Sequence, residues 1–317
     1  MKNKKEKFPK KTIYYSDPVN DDFAGTRIKH KVIDENYNFV PKNFFYTLMT
    51  YIVRGLAYPV IFFIDCILHG TTFKNRKALK GVKGAYLYGN HTSYLDAYTP
   101  NLLSFPVRHK FIVNSDAVAI KFIGTTVKAL GVIPIPDNVR GMIKFTEAVD
   151  YCHKKGENIT IFPEAHIWPY YNGVRPFPDT SFRYPVKDGA PVVAFFTAYQ
   201  KPEGIEKLFR KIKTVVYVSD VFYPDQTIPK KQAQRKLRDQ VYSFMKNCSL
   251  KYSNLEVIKY VYKPKISGED FVGTTDVLRK KPAYKPVIEP NADICNVGKG
   301  KVASNVLLSD EREEIVA

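Results

Sequence analysis

Over residues 71–262, short apolar runs alternate with segments of helical periodicity, and this alternation limits the possible folds more than any other feature. The runs at 84–88, 111–113, 132–135, 158–162, 191–196 and 214–218 are short and rich in Val, Ile, Phe and Tyr, the composition of buried strands. Between and after them, 93–104, 117–130, 139–155 and 230–248 read as helices. The segment 117–130 is apolar at helical spacing through Ile120, Phe122, Ile123, Val127 and Leu130, and 230–248 sets Leu237, Val241 and Phe244 on one face. The pattern predicts an α/β fold: a mixed, mostly parallel sheet flanked by helices. Ligands of open α/β sheets bind outside the carboxyl ends of the strands. Strand ends at 89, 135 and 162 would deliver His91, the turn at Pro136 and Glu164 to one rim.

The flanks differ in character, and four regions follow: a polar basic arm at 1–40, membrane-associated helices at 41–70, a catalytic-type domain at 71–262 and a loosely ordered tail at 263–317. In the tail Pro264, Pro282, Pro286 and Pro290 recur and hydrophobic periodicity is lost. Lys2, Lys4, Lys5, Lys7, Lys10 and Lys11 make the arm either a solvated tail or a segment drawn to anionic headgroups. The first residues carry no apolar core and do not read as a secretory signal.

The region 44–69 is the most apolar. A spanning helix needs about 20 uninterrupted apolar residues. Arg54 interrupts this one near its middle, at roughly 2.5–3.5 kcal/mol if held at the bilayer centre, and Pro59 should kink it. Two short helices lying in or dipping into one leaflet are the expected arrangement, flanked by Lys42, Arg54, Lys74, Arg76 and Lys77; a core helix pair of a soluble protein is the alternative. The net charge of +18, from 49 Lys and Arg against 31 Asp and Glu, calls for a negatively charged partner surface. Twenty-two Tyr and 21 Phe beside one Trp suit a lipid–water boundary. Cys66, Cys152, Cys248 and Cys295 are too far apart for a metal site and read as reduced thiols facing the cytosol. No metal or cofactor is expected.

The chemistry concentrates in Asn90-His91-Thr92-Ser93-Tyr94-Leu95-Asp96. A histidine at a strand end with a carboxylate five residues on can serve as a base and its orienter. Residues five apart on one regular helix diverge by about 140°, so His91 must precede the helix and Asp96 lie in its first turns. The plainer reading is that Ser93 caps the helix and Asp96 meets its positive end. Three further stretches accompany it: Gly131-Val132-Ile133-Pro134-Ile135-Pro136, Phe162-Pro163-Glu164-Ala165-His166 and Ala190-Pro191-Val192-Val193.

In that order the four stretches resemble the glycerolipid acyltransferase family, which includes the 1-acylglycerol-3-phosphate and lysophospholipid acyltransferases. Asn90, His91, Ser93 and Asp96 match its N-H-x-S-x-x-D block. Gly131, Ile133 and Ile135 match its G-x-I-x-I block, Phe162, Pro163 and Glu164 its F-P-E-G-T-R block, and 190–193 in part its V-P-V-x-P block. The resemblance spans roughly 70–220 and is closest to a bacterial branch reading Glu164-Ala165-His166-Ile167-Trp168-Pro169. It implies acyl transfer from a thioester, acyl-CoA or acyl carrier protein, to a lysophospholipid hydroxyl. In that reading His91 is the general base, Asp96 its orienter, and Asn90, Ser93, Glu164 and His166 lie at the substrate. Amides at the start of the Ser93 helix would help hold an oxyanion or phosphate. It also implies a membrane-binding helical pair and work at the cytoplasmic face of the cell membrane.

Two departures stand out. The family's two phosphate-associated arginines fall on Asp137 and Ile167, leaving Arg140 and Arg175 as possible substitutes. Glu164 has a plain alternative as a structural acid paired with a nearby base, and His166 one as a satisfied loop histidine. Two rival functions follow: acyl transfer to a lysolipid without a terminal phosphate, or a non-enzymatic basic protein binding membrane or nucleic acid. The spread of the basic residues and the absence of any groove-reading motif speak against a nucleic-acid partner.

Overall fold

The computed structural model describes residues 8–24, 31–119 and 123–264. The expectations for Lys2, Lys4, Lys5 and Lys7, for Ile120 and Phe122, and for the tail from 265 onward, Cys295 included, lie outside these residues. The chain divides into two units, Met1–Tyr284 and Lys285–Ala317, and everything described belongs to the first.

The strands are β1 (Thr12–Tyr15), β2 (Thr72–Lys74), β3 (Tyr86–Gly89), β4 (His109–Val113), β5 (Val132–Pro134), β6 (Asn158–Ile161), β7 (Val192–Gln200), β8 (Lys213–Val218) and β9 (Lys259–Tyr262). The α-helices are α1 (Phe44–Phe62), α2 (Thr99–Leu103), α3 (Ile123–Ala129), α4 (Val139–Lys154), α5 (Arg183–Asp188), α6 (Glu206–Phe209) and α7 (Lys230–Tyr252). Seven strands form one sheet in the order β2-β8-β7-β3-β6-β4-β5. Every neighbouring pair is parallel except β7 with β8, which is the mixed, mostly parallel sheet expected.

Strand alternation sorts the core into two layers. Tyr86 and Tyr88 of β3, with Val192, Ala194 and Phe196 of β7, face α4, α5 and α7. Leu87, Val193, Phe195, Val216 and Val218 face the opposite layer with Leu79 and Leu103. Because both sheet faces are covered, these strands read as continuous apolar runs. The stripe Ala233, Leu237, Val241, Met245 and Cys248 seats α7 on the sheet. The Asn138 side chain caps α4 by accepting from the Gly141 N–H at 2.6 Å.

The expected 93–104 helix is instead a 3₁₀ turn at Tyr94–Ala97 followed by the short α2, whose second residue is Pro100. The described part of 1–40 packs on the domain instead of standing off as an arm. Strand β1 pairs in parallel with β9, and Ile33 and Phe39 are core residues. Apolar residues spaced among polar ones were enough to anchor it.

The expected helical pair is one continuous helix. From Phe44 to Leu68 it runs 25 residues, α1 passing into a π-helical turn at Phe63–Leu68, and it is long and apolar enough to cross a membrane by length and composition. Pro59 removes one N–H from the ladder without breaking the helix. Arg54 is buried: its Nε donates to Ala129 O at 3.2 Å, and its Nη2 to His109 O at 3.1 Å and Leu130 O at 3.2 Å. The charge therefore meets carbonyls at the negative end of α3 and fastens one face of α1 to the domain. Phe45, Leu48, Ile52, Leu56 and Val60 remain exposed, an apolar surface of the kind that marks a contact site.

Candidate active site

β3 and β6 are neighbours in parallel register, Tyr88 opposite Ile161. The residues following each strand therefore emerge together at the carboxyl rim. The β3 end needs Gly89: a Cβ there would lie 2.2 Å from the Phe195 ring. That close approach lets Phe195 set its edge against Phe162 at 5.9 Å, and Phe162 in turn stacks on the His91 ring at 4.4 Å. The imidazole is thus held on an aromatic shelf.

His91 Nδ1 lies 3.3 Å from Asp96 Oδ2. The same oxygen accepts the Thr92 N–H at 2.6 Å and the Ser93 N–H at 2.7 Å. Asp96 is fixed by the backbone before it touches the ring. An acceptor at Nδ1 favours the tautomer protonated there and leaves Nε2 as the basic nitrogen. The His91 side chain is 16% exposed and that of Asp96 4%, so the imidazole is reachable and the carboxylate is not.

Below the pair lies a second, buried charge system. Glu164 accepts the Arg175 N–H at 3.0 Å and the His91 N–H at 3.4 Å, and its Oε2 lies 3.2 Å from Arg175 Nη2. Burial pushes the Glu164 carboxyl above its ordinary pKa, with the Arg175 guanidinium pulling it the other way. Arg175 also donates to the His166 carbonyl, while its Nη1 is buried without a hydrogen-bond partner. Its guanidinium lies 4.9 Å from the Trp168 ring, which Tyr260 stacks and Tyr15 and Phe23 meet edge-on. The Trp168 backbone N–H donates to His91 O at 3.1 Å. Glu164 and Trp168 together brace the backbone at His91.

Residues 70–197 match the family model described as Acyltransferase, a span holding all four blocks. These residues form an acyltransferase-family domain. The glycerolipid acyltransferase resemblance is borne out at that level. Among solved structures, the chain is similar to the 1-acyl-sn-glycerophosphate (LPA) acyltransferase, PlsC, from Thermotoga maritima, at 14% identity and a TM-score of 0.44, covering 67% of this chain and 98% of that one. No curated protein matches the chain.

Within the acyltransferase domain several expected roles change. Asn90 is fully buried and spends its side chain on β7: Nδ2 donates to Thr197 O at 3.1 Å and Oδ1 accepts the Thr197 N–H at 2.8 Å. It closes a strand pairing, with none of its side chain at the surface. The Thr92 and Ser93 amides are taken by Asp96, so the expected oxyanion or phosphate donors at this turn are already used. Ser93 itself sits half-buried beside the pair. Arg140 is 83% exposed at the start of α4, with Nη1 3.8 Å from Glu35. Arg175 is enclosed with Glu164. Neither is placed as a free phosphate clamp. Asp137 accepts the Ile33 N–H at 2.8 Å, which ties the N-terminal segment to the sheet where the family has an arginine. His166 turns to Asp22 at 3.6 Å, and this contact holds the Asp22 carboxyl below its ordinary value. Sequence reasoning did not single out Asp22 or the Phe162 shelf. The apolar Phe162 beside a catalytic-type block was the available signal for the second; nothing local marks the first.

Among the described residues, no group of three or more His, Cys, Asp or Glu side chains is placed to hold a metal ion. Among the described residues, Cys66, Cys152 and Cys248 form no disulfide.

Ala165 explains why the family places glycine here. Its φ is +65°, a left-handed conformation that costs an L-residue about 1–2 kcal/mol. Ala165→Gly removes that strain and gains unfolded-state entropy in return. The net expectation is a gain of about 0.5–1 kcal/mol, read as a higher urea midpoint with an unchanged slope.

Proposed function

We propose that this protein moves a fatty acyl group from a thioester, acyl-CoA or acyl carrier protein, to the free hydroxyl of a membrane lysolipid. The acceptor we favour is 1-acylglycerol-3-phosphate, giving phosphatidic acid. The observation that carries this reading is the His91–Asp96 pair, with one imidazole nitrogen engaged and the other accessible, at the sheet rim of an acyltransferase-family domain.

His91 Nε2 takes the hydroxyl proton as the oxygen attacks the thioester carbonyl. Asp96 stabilises the imidazolium that forms, and the proton passes to the departing thiolate. The thioester is already activated, so no covalent enzyme intermediate is required. A cavity of ≈ 510 Å³ lies between α1 and Tyr98, Thr126 and Leu130, walled by Leu56, Val60 and Ile61. Tyr98 is two residues past Asp96. The size and apolar walls suit an acyl chain. The exposed apolar face of α1 and the basic net charge support work at an anionic membrane surface, on the cytoplasmic side where acyl thioesters are made.

A second reading keeps the chemistry and changes the acceptor to a lysolipid without a terminal phosphate. The placement of Arg140 and Arg175 favours it, because the Arg140 guanidinium lies beside Glu35 and that of Arg175 is enclosed with Glu164. An acceptor panel with CoA and carrier-protein thioesters separates the two. Turnover of lysophosphatidic acid well above lysophosphatidylcholine, lysophosphatidylglycerol and lysophosphatidylethanolamine supports the first, and the reverse order supports the second. Absence of transfer to every lysolipid sinks both.

A further inference from the structure

The β7–β8 connection, residues 201–212, carries a feature the reaction does not use. Ile205, Leu208 and Phe209, in and beside α6, are 75%, 79% and 78% exposed. Three adjacent large apolar side chains in water differ from the scattered single exposures normal on soluble surfaces. Lys201, Lys207, Arg210 and Lys211 lie in the same connection, against Glu203 and a Glu206 that pairs with Lys213 at 3.0 Å.

The tip is not loose. Arg210 Nη1 donates to Gly70 O at 3.1 Å. Gly70 has φ +65°, and a Cβ there would lie 1.3 Å from that same nitrogen. The guanidinium occupies the room the missing side chain leaves. Gly70 closely follows Ile67 and Leu68, 54% and 60% exposed at the end of the helix that begins with α1. Register agrees: β2 opens beside β8 with Thr72 opposite Val215. Arg210 therefore holds the apolar tip beside the end of the helix that begins with α1.

We propose that the β7–β8 tip is a second lipid-contact element. Ile205, Leu208 and Phe209 enter an anionic bilayer interface beside the end of α1, with Lys207 and Lys211 among the headgroups. Apolar side chains interspersed with lysine and arginine have the composition of an interfacial anchor. The charge disfavours a second copy as occupant, since two such tips would oppose like with like. A single helix gives the domain only one line of attachment to the interface. A second contact beside it fixes the direction in which the domain faces. The proposal rests on the membrane-facing reading of α1 and not on the reaction catalysed.

The test is F209W with vesicles of phosphatidylcholine and phosphatidylglycerol. Trp168 is fully buried, so the difference from the unmodified protein reports the tip. Emission should move to shorter wavelength on vesicle addition. An I205S/L208S/F209S variant should bind the same vesicles about tenfold more weakly in flotation, the equivalent of one large apolar side chain kept out of lipid. If the protein floats with vesicles while F209W emission is unmoved and the triple variant binds equally, the tip proposal is overturned and the α1 reading stands. If nothing floats, both fall. A blue shift that depends on protein concentration and needs no vesicles assigns the tip to a self-contact and also overturns it.

Discussion

His91→Ala is expected to lower the rate of acyl transfer by about 10²–10⁴-fold, the range a positioned general base contributes, with little change in Tm. The side chain is partly open and stacks on Phe162 without carrying any buried backbone partner, so folding does not depend on it. Asp96→Asn sharpens the test. An asparagine keeps an oxygen for the Thr92 and Ser93 amides, so the turn should fold. The same oxygen would still accept the Nδ1–H, because one Asp96 oxygen meets all three groups, so the tautomer is kept and only the negative charge facing the imidazole is lost. The variant should lose kcat with KM nearly unchanged, since the carboxylate stabilises charge that develops only in the transition state. Single-turnover assays on a defined lysolipid check both. Full activity in His91→Ala would end the proposed mechanism.

Arg175→Met is expected to destabilise the fold by about 3–5 kcal/mol, because it leaves the Glu164 carboxyl buried without its counter-charge. Side chains of both residues are 1% exposed, so solvent cannot screen the loss. The double variant Arg175→Met/Glu164→Gln should recover much of the deficit, since a neutral amide needs no counter-charge and its one oxygen can still accept the residue 175 N–H. Chemical denaturation of the four proteins gives the coupling directly, and an Arg175→Met variant as stable as its parent contradicts the pairing. The same set addresses the role of Glu164. If it only braces the His91 backbone, Glu164→Gln lowers kcat modestly at constant KM. If it meets the acceptor, KM rises.

The predicted order of strands and helices through 84–248 follows the observed one closely. A parallel sheet covered on both faces needs unbroken apolar strands, and local composition records that directly. The His91–Asp96 pair was legible for a similar reason: both partners sit in one turn, where spacing limits geometry. The β1–β9 pair was not legible. Thr12–Tyr15 and Lys259–Tyr262 are short, half-exposed and brought together from opposite ends of the described chain. The single helix in place of the expected pair traces to Arg54. Its charge reads as an interruption in one dimension and becomes an anchor once the α3 carbonyls are in reach.

The amino-acid order by itself determined the α/β class and the meeting of His91 with Asp96 at the end of β3, because hydrophobic periodicity and short-range spacing are local properties. Only the tertiary structure decided which polar residues are spent internally. Asn90 finds Thr197 across 107 residues, Trp168 finds Asp21 across 147, and Glu164 closes on Arg175 in the interior. A buried polar group must be satisfied by whatever the fold sets beside it, and no reading of nearest neighbours along the chain can name that partner.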